Sequence, residues 1–128
     1  METLITNGIR VSVRPSYQAE HSQPRADKYV YSYYILIENL GDQTVQLLRR
    51  HWIIWDSNGS IREVEGEGVV GEQPVLAPGE QHEYSSWCDF QTSIGSMAGA
   101  FLMHNLEEEQ FFHVEIPLFR LIAPEVLN

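Results

Sequence analysis

The sequence predicts an all-β protein, an antiparallel two-layer sandwich of about seven or more strands, and three observations carry that prediction. Short stretches rich in β-branched and aromatic residues recur along the 128 residues, with Gly, Pro and Asn between them. Several of these stretches alternate apolar and polar residues with a period of two. No stretch shows sustained helical periodicity with caps, so the helices that a parallel α/β sheet needs between its strands are missing.

The elements follow in order. Ile9, Val11 and Val13 alternate with Arg10, Ser12 and Arg14, a half-buried strand that Pro15 should bend or end. Residues 19 to 28 are polar, contain Pro24, and read as a mobile loop. KYVYSYYILIENL, residues 28 to 40, puts Tyr29, Tyr31, Tyr33, Ile35 and Ile37 on one face of a long central strand. A turn from Glu38 to Asp42 leads to TVQLLRRHWIIWD, which runs into Asn58-Gly59, a strong hairpin signal. With Asn58 and Gly59 as a two-residue loop, Ile53 faces Val64, Trp55 faces Arg62 and Arg50 faces Glu67.

Leu76-Ala77-Pro78-Gly79 is a further turn, and EQHEYSSWCDF continues as a strand. Its Tyr84, five residues after Gly79, loosely resembles the tyrosine corner of immunoglobulin-like sandwiches. GAFLMHN, an acidic turn at Glu107 to Glu109, and QFFHVEIPLFRL close the chain as a hairpin with Phe112, Val114, Ile116 and Leu118 on one face. No repeat, linker or low-complexity tract appears, so residues 1–128 are expected as one domain, with a core from about 9 to 121 and short flexible tails.

Charge narrows the function classes. Eighteen acidic against eight basic residues give a net charge of −10, a field that repels phosphates and argues against general nucleic-acid binding. No apolar run approaches the roughly 20 residues of a spanning helix, and the N-terminus alternates instead of forming a signal-peptide stretch, so no membrane insertion is expected. Cys88 is the only cysteine. It allows no internal disulfide or cysteine-based zinc cluster, fits a reducing cytoplasm, and reads as a small buried apolar residue.

GEGVVGEQPVLAPGE, residues 66 to 80, spaces Gly66, Gly68 and Gly71 like a dinucleotide-binding fingerprint. That fingerprint works by leading into a helix whose N-terminus holds pyrophosphate. Here the glycines lead into Pro74 and Pro78, which exclude such a helix, and Glu63, Glu65, Glu67 and Glu72 would repel a phosphate. The remaining anion-binding arrangement is a nest of backbone N–H groups helped by Arg49 or Arg50. The reading set beside it is architectural, with glycines that permit a bulge, positive φ or close backbone approach.

Catalytic and metal-binding patterns are missing. His21, His51, His82, His104 and His113 form none of the close pairs common in metal sites, so no metal site and no cofactor are expected. The Glu107 to Glu109 group reads as a solvated turn. Ser85, Ser86 and Cys88 near His82 lack a nucleophile elbow or oxyanion hole, and the protein is read as not an enzyme. Trp52 and Trp55, like the tyrosine column, read first as packing residues. Trp55 and Arg62, near a hairpin tip, are the candidate partner-binding pair.

RHWIIWDSNG at 50 to 59, VEGEGVVGEQPVLAPGE at 64 to 80, YSS at 84 to 86, GSMAGAFLM at 95 to 103 and IPLFRL at 116 to 121 together resemble the ApaG family over most of the chain, from about Ile9 to Leu121. Departures are few: Trp55 stands where a small polar residue is common, Trp87 where glycine is, and Phe101 where tyrosine is. The resemblance implies a fibronectin-III-like or immunoglobulin-like sandwich in a small bacterial protein, linked genetically to cobalt and magnesium resistance or efflux. It also implies a gene that neighbours a dinucleoside-tetraphosphate hydrolase, and related domains in F-box proteins and a polymerase-interacting protein. Those contexts point to an interaction module with an unknown protein partner, and strand addition at a sheet edge is one mode of binding. The alternative is a sensor that binds pyrophosphate, a nucleotide or a divalent metal at the glycine loop.

Overall fold

The computed structural model describes residues 1–124; of the C-terminal tail expected after about residue 121, the part from 125 onward lies outside them. Strand β1 (Glu2–Thr6) folds back on β2 (Ile9–Tyr17) through Asn7 and Gly8, whose φ values of 50° and 79° make the two-residue turn that matches strand twist. This hairpin extends the sandwich N-terminally of Ile9. Pro15 does not end β2. It pairs with Tyr33 beyond the last β1 contact at Val13, where only one neighbour flanks the strand and the missing N–H interrupts no ladder.

Strands β3 (Tyr29–Asn39) and β7 (Gln81–Phe90) complete the first sheet, in the order β1-β2-β3-β7. The second sheet has the order β5-β4-β8-β9, from β4 (Val45–Asp56), β5 (Ile61–Glu67), β8 (Ile94–Asn105) and β9 (Gln110–Ile122). The short β6 (Val75–Leu76) pairs with the start of β4. All pairings between named strands are antiparallel, and the two sheets form the sandwich that the sequence predicts. The segment expected as a loop carries two single 3₁₀ turns, Ala19–His21 and Pro24–Ala26.

Alternation fills the space between the sheets. Val11, Val13, Tyr31, Tyr33, Ile35 and Ile37 from the first sheet meet Leu47, Trp52, Ile54, Met97, Phe101, Val114 and Phe119 from the second. Tyr33 and Trp52 pack edge to face at 5.3 Å, and Trp52 meets Phe119 likewise at 6.0 Å, so the tyrosine column and Trp52 are core. β9 departs from the simple pattern. A bulge between Ile116 and Phe119, opposite Met97 to Gly99, buries Pro117 with Ile116 and turns Leu118 to solvent, so Leu118 does not share the face of Val114 and Ile116.

One buried polar side chain ties three segments together. Asn39, 1% exposed, donates through Nδ2 to the Gln43 and Leu76 carbonyls at 2.8 and 3.0 Å and accepts the Gly41 N–H at 3.0 Å. Its own backbone bonds the Pro78-Gly79 turn through Glu80 O and the Gly79 N–H. Replacing it with alanine strands buried carbonyls, so Asn39→Ala should lose about 2–4 kcal/mol in denaturant unfolding; a loss below about 1 kcal/mol contradicts this role.

Candidate functional site

The loop between β4 and β5 decides what each face presents. Gly59 takes φ +93°, while Asn58 is not among the positive-φ residues. The Gly59 N–H donates to Asp56 O, and the Asp56 N–H donates to Ser60 O at 2.9 Å. This is a three-residue loop, a type I turn followed by a left-handed glycine, and not the expected two-residue turn. The register moves by one residue: Ile53 faces Glu63, Trp55 faces Ile61, Ile54 faces Arg62 and Arg49 faces Glu67.

That shift separates the expected Trp55–Arg62 pair. Arg62 lies beside the buried Ile54 on the inner row, and it reaches across the open side of the sandwich. It donates to Asp89 O at 2.5 Å and sits 5.7 Å from the Phe90 ring. It also donates to Cys88 Sγ at 3.5 Å, and burial pushes that thiol's pKa up. Trp55 points the other way, onto the outer face of the second sheet.

The glycine loop is closed on itself. Val70 (φ 48°) and Gly71 (φ 78°) form a two-residue turn in which Val69 and Glu72 exchange N–H···O bonds of 2.8 and 3.0 Å. The Gly68 N–H donates to Leu48 O at 2.8 Å. A Cβ on Gly68 would stand 2.3 Å from Glu72 O, so this position requires glycine for close backbone approach. Gly66 leaves room for the Arg50 guanidinium, which would lie 2.8 Å from a Cβ there and donates to the Glu67 and Gly68 carbonyls. Arg49 stands on the opposite face of β4 from Arg50, so only one of the two arginines bends over the loop. No helix follows: the chain runs through β6 and the Pro78-Gly79 turn into β7. Three of the nest's N–H groups and the nearest guanidinium are already bonded within the protein.

Among the described residues no three His, Cys, Asp or Glu side chains are arranged to hold a metal ion. Tyr84 Oη is buried without a hydrogen-bond partner, so Tyr84 does not make the backbone bond of a tyrosine corner. Burial pushes its ionisation far up.

The two outer faces differ in chemistry. On the first sheet Arg10 grips Glu38 with bonds of 2.9 and 2.8 Å, which hold the Glu38 carboxyl below its ordinary pKa. Tyr34 donates to Glu83, and Arg14 stacks over the Tyr34 ring. On the second sheet Ile53 and Trp55 sit at the centre of an apolar face, with Ile61 on one side and Ala98 on the other. The bulged Leu118, 51% exposed, joins Trp55, Ile94, Ser96 and Arg120 around an open hollow of about 300 Å³. Leu118 was hidden from sequence reading because only the bulge turns it outward, and the proline before it was the available signal.

A sequence model of the ApaG domain matches residues 19–105, more than half of the chain. The chain belongs to the ApaG family. It is 46% identical over 125 residues to Protein ApaG of Brucella canis, covering 98% of this chain and 95% of that protein. It is 48% identical over 120 residues to Protein ApaG of Thiobacillus denitrificans, covering 94% of each. A solved structure from Bordetella pertussis, described as the ApaA protein, superimposes with a TM-score of 0.88 at 44% identity over 91% of this chain and 94% of that one. The ApaG family thus accounts for the fold; the apolar outer face is read from this chain's own residues.

Two outcomes test the site geometry. Pyrophosphate, ATP, Mg²⁺ and Co²⁺ titrated to millimolar concentrations should leave the amide shifts of Gly66 to Gly71 in place; saturable shifts there contradict a loop closed on itself. Tyr84→Phe should keep or raise stability by up to about 1 kcal/mol, whereas a loss above about 1 kcal/mol reveals a partner for the hydroxyl.

Proposed function

We propose that this protein is a non-enzymatic, cytoplasmic interaction module that binds a protein partner on the outer face of its second sheet. The observation that carries this reading is the contrast between the faces. Arg10–Glu38 and Tyr34–Glu83 hydrogen bonds cross-link the first, whose exposed Trp87 packs edge to face with His21, while the second sets half-buried Ile53 and Trp55 beside exposed Ile61, Ile94 and Leu118. An apolar patch with an aromatic centre and an arginine at its rim has the composition of a binding hot spot. The strand order β2-β3-β7 against β5-β4-β8-β9 supports the fibronectin-III-like reading, a scaffold that presents such a face rigidly.

The family's link to cobalt and magnesium resistance or efflux fits a role exerted through the partner. The sensor alternative at the glycine loop has less support, because its donors are spent internally and four glutamates surround it.

Affinity capture from cells tests the reading. Wild-type protein should enrich a partner that is lost with Trp55→Ser and with Leu118→Ser, both folded by their amide spectra. Capture of nothing beyond a matched control domain, or capture unaffected by both substitutions, contradicts it.

A further inference from the structure

We infer that the free edge of β5 takes up an extended, basic segment of the partner as an added strand, an inference that rests on the interaction-module reading and specifies its partner. In an antiparallel ladder, alternate residues exchange hydrogen bonds with the neighbour while those between point their N–H and C=O away. The Asp56 N–H to Ser60 O and Gly68 N–H to Leu48 O bonds fix which residues are which on β5. Arg62, Val64 and Gly66 therefore bond to β4, and Ile61, Glu63 and Glu65 offer their N–H and C=O groups outward. The same holds for Glu67, but its carbonyl already accepts from Arg50.

The other edges are tied across the sandwich or carry fewer unpaired charges. Across the opposite side of the sandwich, Asn7 Nδ2 bonds His113 O and the Glu115 N–H bonds Thr6 Oγ1, which joins the β1 and β9 edges. The β7 edge is unpaired at Gln81, Glu83, Ser85 and Trp87, but the two carboxylates on its outward-facing residues are engaged, Glu83 by the Tyr34 hydroxyl and Asp89 by Arg62, whose guanidinium also takes the Asp89 carbonyl. β5 borders the apolar face directly, with Ile61 beside Trp55.

Charge selects the occupant. The residues with outward-pointing backbone carry Glu63, Glu65 and Glu67 on the outer face, in a protein of net charge −10. The Glu63 and Glu65 side chains are 65% and 62% exposed, and among the described residues neither makes an ion pair with an arginine or lysine. Their nearest nitrogen is His51 Nε2 at 3.7 and 3.6 Å, an atom that is itself buried without a hydrogen bond. A second copy of this chain paired through β5 would set glutamate against glutamate, so self-pairing is disfavoured. A strand with lysine or arginine at alternate positions places each cation beside a glutamate. Its intervening side chains fall on the inner row beside Val64 and Gly66, where uncharged apolar residues fit.

The test uses a blocked heptapeptide, Thr-Lys-Val-Lys-Val-Lys-Thr, with three controls: glutamate for lysine, the same composition with lysines and valines in separate blocks, and N-methylation of the backbone on the pairing side. Amide exchange and shifts of the intact protein are followed by NMR. The inference expects new protection at Glu63 and Glu65, binding about tenfold tighter than for the glutamate peptide at low salt, weakening with salt, and loss on N-methylation. Glu63→Lys with Glu65→Lys, on exposed side chains, should reverse the charge preference. Absence of binding, absence of protection at Glu63 and Glu65, or binding indifferent to residue order or N-methylation overturns strand addition. A cellular partner lost with Trp55→Ser but retained by the double lysine variant also overturns it while leaving the interaction module standing. Failure to capture any partner counts against the module, independently of the peptide result.

Discussion

The closing of the β4–β5 loop at Asp56 is the constraint from which the binding face follows. The Asp56 N–H meets Ser60 O, and the Asp56 carboxylate accepts the Gln91 and Thr92 N–H groups at 2.8 and 3.1 Å together with the Thr92 hydroxyl. Asp56 is 8% exposed, so this carboxylate is held by the chain and not by solvent. It fixes the hairpin and ties it to the link between β7 and β8. Because side chains alternate along a strand, a slip of one residue would send Arg62 outward and the glutamates inward.

With the register fixed, the chemistry of the two rows separates cleanly. The inner row uses Arg62 as a strut across the open side of the sandwich and Gly66 as the place where Arg50 lies against the backbone. The outer row gives Ile61 to the apolar face and the glutamates to the free edge. Gly66, Gly68 and Gly71 serve this arrangement as backbone geometry: room for a guanidinium, close approach to Glu72, and the turn that sends the chain on to β6. The apolar face and the acidic edge are therefore adjacent parts of one surface.

Much of the fold was legible because alternation and punctuation are local signals. Tyr31, Tyr33, Ile35 and Ile37 announce a half-buried strand by composition and spacing, and Pro74 and Pro78 rule out a helix after the glycines without any coordinates. What was not legible depends on single-residue choices made by the whole sandwich. Asn58-Gly59 has the composition of a two-residue turn, yet Asp56 is anchored to Gln91 and Thr92, and only the glycine adopts positive φ. Asn7-Gly8, with the same composition, does make the two-residue turn, its anchors to His113 and Glu115 coming from side chains that leave both residues free to take positive φ. Leu118 was misplaced for a similar reason, since a bulge between β8 and β9 breaks the alternation that the sequence implies.

The register of β4 against β5 carries the account, and solution NMR measures it directly. Non-hydrogen-bonded antiparallel partners bring their Cα atoms within about 4.5 Å, so their Hα protons give strong cross-peaks. The account predicts Hα–Hα cross-peaks between Ile53 and Glu63 and between His51 and Glu65. Cross-peaks joining Ile54 to Glu63 or Asp56 to Ile61 instead would mark the two-residue turn, place Arg62 opposite the tryptophan and contradict the apolar binding face.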